Sequence, residues 1–197
     1  MFLLALVSPT IGLSQEVDRY IRALTDQQAT IRMDALQSKE IVSCFASHDD
    51  GDTCRLDKED YRRLTEVFLR LLTDPEPKIR VKAVYYLKST TDSRFTRPIA
   101  QLLKDPSPQV RAAAADSFGE TVLKDDEIVR DIEHLLGDKD KNVRRSAASA
   151  LGLSGTRRSL DLLREAYKRE ADQDNKVLMA DMVKELENRV GKRERKN

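Results

Sequence analysis

Tryptophan is absent from this chain, and histidine and cysteine occur only twice each in 197 residues. His48 and His134 stand far apart, so there is no Ser/His/Asp arrangement and no H-E-x-x-H motif. Seven glycines, scattered through the chain, form no phosphate-cradling loop. Cys44 and Cys54 have only His48 near them, whereas a structural zinc needs four ligands. The acidic stretch HDDGD, His48–Asp52, misses the spacing of a calcium-binding loop around Gly51 and reads as a solvated loop tip. The expectation is therefore no catalytic residue, no metal and no cofactor. Charge of one sign is lacking too. Basic and acidic side chains number 35 and 34, giving a net charge of +1. That balance, with no Trp for base stacking, excludes a nucleic-acid partner from the reading. The short basic end GKRERKN reads as a solvated tail, 191–197, because so few charges give little phosphate affinity.

Long apolar runs are missing except at the start, where MFLLALVSPTIGLS carries one from Phe2 to Val7. It is too short to span a bilayer. Small residues at Gly12 and Ser14 suit a signal-peptidase site before Gln15, although no Lys or Arg precedes the run. Residues 1–14 are thus expected to be an export signal, placing the chain in the periplasm or outside the cell. If the leader is kept, the protein is cytoplasmic. No second such segment follows, so no membrane association is expected after leader removal. In an oxidising compartment a Cys44–Cys54 disulfide is expected, worth about 2–3 kcal/mol for so short a loop. In the cytoplasmic alternative these are two free thiols.

What the chain has in abundance is Ala, Leu and mixed charge, 40% hydrophobic and 35% charged with 5% aromatic. That balance favours helix over sheet. It also repeats itself. Leu71–Lys88 reads LLTDPEPKIRVKAVYYLK, Leu102–Glu120 reads LLKDPSPQVRAAAADSFGE, and Leu135–Gly152 reads LLGDKDKNVRRSAASALG. A weaker copy, ALTDQQATIRMDALQS, spans Ala23–Ser38. Aligned on Asp26, Asp74, Asp105 and Asp138, each copy carries an Arg six residues on: Arg32, Arg80, Arg111 and Arg144. Before each Arg stands Ile31, Ile79, Val110 or Val143, and nine residues after each Asp stands Ala35, Ala83, Ala114 or Ala147. Leu87, Phe118 and Leu151 follow at offset thirteen, so these positions share one helical stripe.

A second periodic segment precedes each Asp. Asp57–Leu72 has Asp57 as N-cap and an apolar stripe of Leu64, Val67, Phe68 and Leu71; Ser93–Leu103 and Asp125–Leu136 repeat the idea. Pro75, Pro77, Pro106 and Pro108 separate the two helices of their units. A fifth, degenerate unit starts at Thr156, with an apolar stripe of Leu178, Met182, Val183 and Leu186. Its Arg position is taken by Leu178 or Met179. Residues 39–56, with both cysteines, are an insertion between the first two units.

The pattern D-P-x-x-x-[VI]-R-x-x-A-x-x-x-L resembles HEAT repeats, especially the short HEAT-like type of phycobilin lyase subunits. The resemblance covers roughly residues 16–190 and is sharpest in the three central copies. It implies an all-α, right-handed α-α superhelix of about five helical hairpins over 15–190. It also implies that the recurring Asp and Arg form a structural ladder along the turns. HEAT-like metal hydroxylases carry paired His-Glu steps that this chain lacks. In such solenoids the second helix of each pair lines the concave face. The outward positions there are Asp34 and Gln37, then Lys82, Tyr85 and Tyr86, then Asp116, then Ser146 and Ser149, with Arg145 beside them. Lys82, Tyr85, Tyr86, Asp116, Arg145 and Ser149 are the expected contacts for a protein or peptide partner. The reading is a non-enzymatic scaffold, and its alternative is a bilin lyase or isomerase-like subunit.

Overall fold

The computed structural model describes residues 13–37, 56–88, 92–118 and 125–194. The apolar run and Gly12, the Cys44–Cys54 pair and the HDDGD loop lie outside the described residues. The chain forms two compact units, 1–91 and 92–197. Every regular element among the described residues is helical.

In the first unit α1 (Leu13–Leu24) is followed by α2 (Ala29–Ala35), α3 (Lys58–Leu71) and α4 (Pro77–Lys88). Val17, Tyr20 and Leu24 recur at helical spacing and bury one face of α1. Leu13 and Ser14, assigned to the leader above, lie in its first turn. Leu56, at the end of the expected insertion, is buried. Asp57 caps α3 by accepting from the Asp60 amide at 2.8 Å, and Leu64, Val67, Phe68 and Leu71 turn inward. Pro77 opens α4, where its missing N–H leaves no bond unmade. Leu24, Leu36, Leu64, Phe68 and Ile79 are among the largest fully buried side chains, each contributing about 1.5–3 kcal/mol by leaving water.

In the second unit a 3₁₀ turn (Ser93–Phe95), α5 (Thr96–Gln101) and another 3₁₀ turn (Leu102–Lys104) build one irregular first helix. Then come α6 (Pro108–Ser117), α7 (Asp126–Leu135), α8 (Lys141–Ser154), α9 (Arg157–Arg169) and α10 (Gln173–Glu194). Asp125 and Asp140 cap α7 and α8 through their carboxylates, and Thr156 with Ser159 forms a capping box on α9. Helix α8 packs between α6 and α10. The small residues of its stripe make that possible: Ala114 and Ala147 are fully buried, and Gly152 touches Met182. Helix α10 continues to Glu194, into the stretch read as a tail. No described helix is long and apolar enough to cross a membrane.

Candidate functional site

The recurring charges converge on the turns between paired helices. In the first unit Arg32 donates from Nε to Asp74 Oδ2 at 2.7 Å and from Nη2 to Asp74 Oδ1 at 2.8 Å. Its Nη1 donates back to the carbonyls of Asp26 and Gln27 at 2.8 and 2.9 Å. Asp74 Oδ1 also accepts the Glu76 amide at 2.9 Å, holding the carboxylate over the start of its own helix. Arg80 Nη1 donates to the Asp74 carbonyl at 2.7 Å.

The second unit uses the same device. Arg111 donates to Asp138 from Nε and Nη2 at 2.8 and 3.0 Å, and from Nη1 to the Asp105 carbonyl at 2.8 Å. The Asp105 and Asp138 carboxylates accept the amides of Ser107 and Asp140. Burial pushes the Asp138 carboxyl up, but the Arg111 fork and the Asp140 amide outweigh it and hold it below the usual range. Each rung is a planar guanidinium matched to a carboxylate, with the remaining donor tied to the Arg's own turn. Asp26, Asp74, Asp105 and Asp138 therefore sit at turns, and Arg32, Arg80, Arg111 and Arg144 reach the carbonyls of those turns from the helices that follow. Asp26 differs, because its carboxylate accepts the Gln28 amide at 2.8 Å but no arginine fork among the described residues.

One rung lay hidden in the sequence. Arg144 donates to Glu170 from Nε and Nη2 at 2.8 and 2.7 Å. Glu170 also accepts the Ala171 and Asp172 amides and lies beside Asn175 Nδ2. A glutamate stands where the earlier copies have aspartate, so alignment on Asp slid the fifth copy. Counted from Glu170, the Arg position is Lys176 rather than Leu178 or Met179, and Met179 takes the buried offset-nine position. Leu178, Met182 and Val183 are only half-buried, while Leu186 is fully buried as expected.

The Arg144 hydrogen bonds hold the Glu170 carboxyl at about 2, down from 4.5. A carboxyl with a lowered folded-state pKa stabilises above its unfolded value and loses that stabilisation as pH falls towards the folded value. Acidification from pH 4.5 to about 2 is therefore expected to cost the second unit on the order of 2 kcal/mol through this residue, allowing for solvent screening. Glu170→Gln should remove that component, which urea unfolding across the same pH range would read.

The expected partner-contact residues fall into three groups. Lys82 and Tyr85 are exposed on α4, Tyr85 with 42% of its surface open and Lys88 Nζ 4.9 Å from its ring centroid. Asp116 on α6 and Arg145 on α8 are also exposed, and Ser149 is half-buried. Tyr86 turns inward instead, its hydroxyl donating to the Leu36 carbonyl and its ring meeting Phe68 edge-on at 6.0 Å. Ser146 is buried, since α8 is covered on both sides and keeps little outward surface. Asp34 and Gln37 are exposed on α2 and just after it, and His134 is exposed on α7. Among the described residues no group of three or more His, Cys, Asp or Glu side chains is placed to hold a metal ion.

A family model for HEAT repeats matches residues 96–180. A designed armadillo repeat protein, solved in complex with the peptide (KR)4, is 16% identical; the match covers 88% of this chain and 82% of that one, with a TM-score of 0.54. An engineered protein of known structure is 15% identical over 87% of this chain and 79% of that one, with a TM-score of 0.53. The complex of CpcE and CpcF of phycocyanin lyase from Nostoc sp. PCC7120 aligns at 13% identity over 94% and 99% of the two chains, but its TM-score of 0.29 supports no statement about this chain. No curated protein matches it. The helical pairs, the turn ladder, the HEAT-repeat match over residues 96–180 and the likeness to the designed armadillo repeat protein together place the chain in the all-α, solenoid-type fold class.

Proposed function

We propose that the chain is a non-enzymatic scaffold that binds a protein or peptide on the exposed side of its second helices. The observation that carries this reading is Tyr85. It is a large aromatic side chain left open on α4 beside Lys82 and Lys88, while Tyr86 next to it is drawn into packing. Tyrosine supplies contact area at low entropic cost and is enriched at binding hot spots. Within the second unit, Asp116, Arg145 and Ser149 are the proposed contacts on its own second helices. The armadillo-type neighbour, which holds a peptide, lends support at the level of fold. Export, and a disulfide between Cys44 and Cys54, belong to the same proposal and rest on the sequence alone.

A photo-crosslinking residue placed at Tyr85 tests the surface. Partner adducts are expected from position 85 and not from Glu66, exposed on the first helix of that pair. Adducts from Glu66 alone would assign the wrong side of the hairpin. With the partner in hand, Tyr85→Ala should weaken binding about tenfold while leaving unfolding nearly unchanged. A change in the absorbance of bilin added to the purified protein would instead favour a chromophore-handling subunit and count against the scaffold reading.

A further inference from the structure

Among the described residues the first and the last turn of the repeat series each lack a partner charge, and the two are complementary. At inner turns a carboxylate is held by an amide two residues on and receives an arginine fork: Asp74 from Arg32, Asp138 from Arg111, Glu170 from Arg144. Asp26 has the same amide contact, from Gln28, but no cationic side chain reaches its carboxylate among the described residues. The face beside it also keeps apolar surface open. Ile31 is half-exposed, whereas Ile79, Val110 and Val143 at the same repeat position are fully buried, and Ile21 and Met33 are half-exposed as well.

At the other end, position six counted from Glu170 is Lys176. It has no carboxylate partner among the described residues and sits over the Tyr167 ring, 5.7 Å from the centroid. The outer side of α9 and α10 is not a polar cap. Tyr167, Ala180 and Val183 floor a shallow groove of about 690 Å³ rimmed by Asp161, Arg164, Glu165 and Lys168, and Val177 on α10 is 57% exposed. A terminal repeat normally turns a polar face to water. This one keeps apolar surface and a cation where an interior repeat would present its arginine.

We propose that copies of this chain associate head to tail, Lys176 of one copy pairing with Asp26 of the next. The occupant of each end is a second copy, because the missing cation at one end and the missing anion at the other fall at equivalent positions of a ladder the chain already builds three times within itself. Lysine cannot reproduce the bidentate fork, so the contact is weaker than an inner rung and sensitive to salt. The interface is heterologous and leads to open chains of copies unless the rotation closes them into a ring.

Sedimentation velocity of the full chain, from micromolar to submillimolar concentration at low salt, tests this. The weight-average mass is expected to rise with concentration and to fall back on adding salt. Asp26→Lys and Lys176→Asp should each weaken association about tenfold, and an equimolar mixture of the two variants should regain it. Both side chains are at least partly exposed, and matching helical spectra and melts would show that the variants still fold. A single monomer mass at every concentration, or association that neither substitution changes, overturns the proposal. Association that both substitutions abolish and the mixture fails to regain would overturn the pairing of these two ends. A chain that stays monomeric but still crosslinks its partner from Tyr85 would sink this inference while leaving the scaffold reading in place.

Discussion

Arg32→Ala is expected to lower the unfolding free energy of the first unit by about 3–5 kcal/mol. The side chains of Arg32 and Asp74 are 10% and 6% exposed, and Arg32 makes four hydrogen bonds, two to the carboxylate and two to turn carbonyls. Truncation leaves the Asp74 carboxylate buried against an amide but without its counter-ion, and it leaves two turn carbonyls short of a donor. The cost therefore comes from stranding a charge rather than from losing the net value of the pair. Two consequences separate this account from a packing explanation. Arg32→Lys should recover only part of the loss, since one ammonium cannot replace a planar fork. The double variant Arg32→Ala with Asp74→Ala should be less destabilised than the sum of the singles, because the second change removes the stranded group. Urea unfolding of the parent, the two Arg32 variants, Asp74→Ala and the double variant reads both.

Gly152→Leu should be nearly as damaging, costing about 3 kcal/mol, with Gly152→Ala at about 1–3 kcal/mol. A Cβ at position 152 would stand 2.6 Å from Met182 Cβ and 2.5 Å from Met182 Sδ. The sulfur can swing aside, but the Met182 Cβ is fixed to the backbone of α10, so the helices themselves must separate. Helix α8 is held from both sides, by α6 and α10, which leaves no direction in which to yield. Met182→Ala placed on Gly152→Ala should restore part of the loss, and a thermal melt of the pair checks it. A neutral Gly152→Ala would mean that the close approach of α8 and α10 is not needed.

These two sites show what was legible in the sequence and what was not. Arg32 and its counterparts stood out because one part of their role is local, the Nη1 bond to the carbonyl six residues earlier. A short turn needs a charge at a fixed offset from its Asp, so the requirement recurs as spacing. The alanine stripe was readable for the same reason, since a close helix contact repeats wherever the hairpin does. Gly152 carried no such signal, because its partner Met182 belongs to a different helix and to a degenerate copy. Glu170 was missed because the ladder needs a carboxylate at a place in space, and one extra methylene still reaches it.

The second-helix face was only half legible. Helical spacing puts residues 85 and 86 both near the outward side, yet they differ by about 100° around the axis. That rotation sends Tyr86 onto Phe68 and the Leu36 carbonyl, and leaves Tyr85 open. Offset alone could not assign Ser146 either. Whether a position faces water depends on how many neighbours a helix has, and α8 has one on each side.

The central claim is that the recurring charges are the spine of the repeats and that binding belongs to the helix surface beside them. Urea unfolding of Arg32→Ala and Tyr85→Ala, made in one background and compared with the parent, tests it most directly. Both residues lie in the first unit, so one transition reports on both. The account predicts a large fall in unfolding free energy for Arg32→Ala and a value within about 0.5 kcal/mol of the parent for Tyr85→Ala. A larger loss from Tyr85→Ala than from Arg32→Ala would mean that the spine and the binding face have been interchanged.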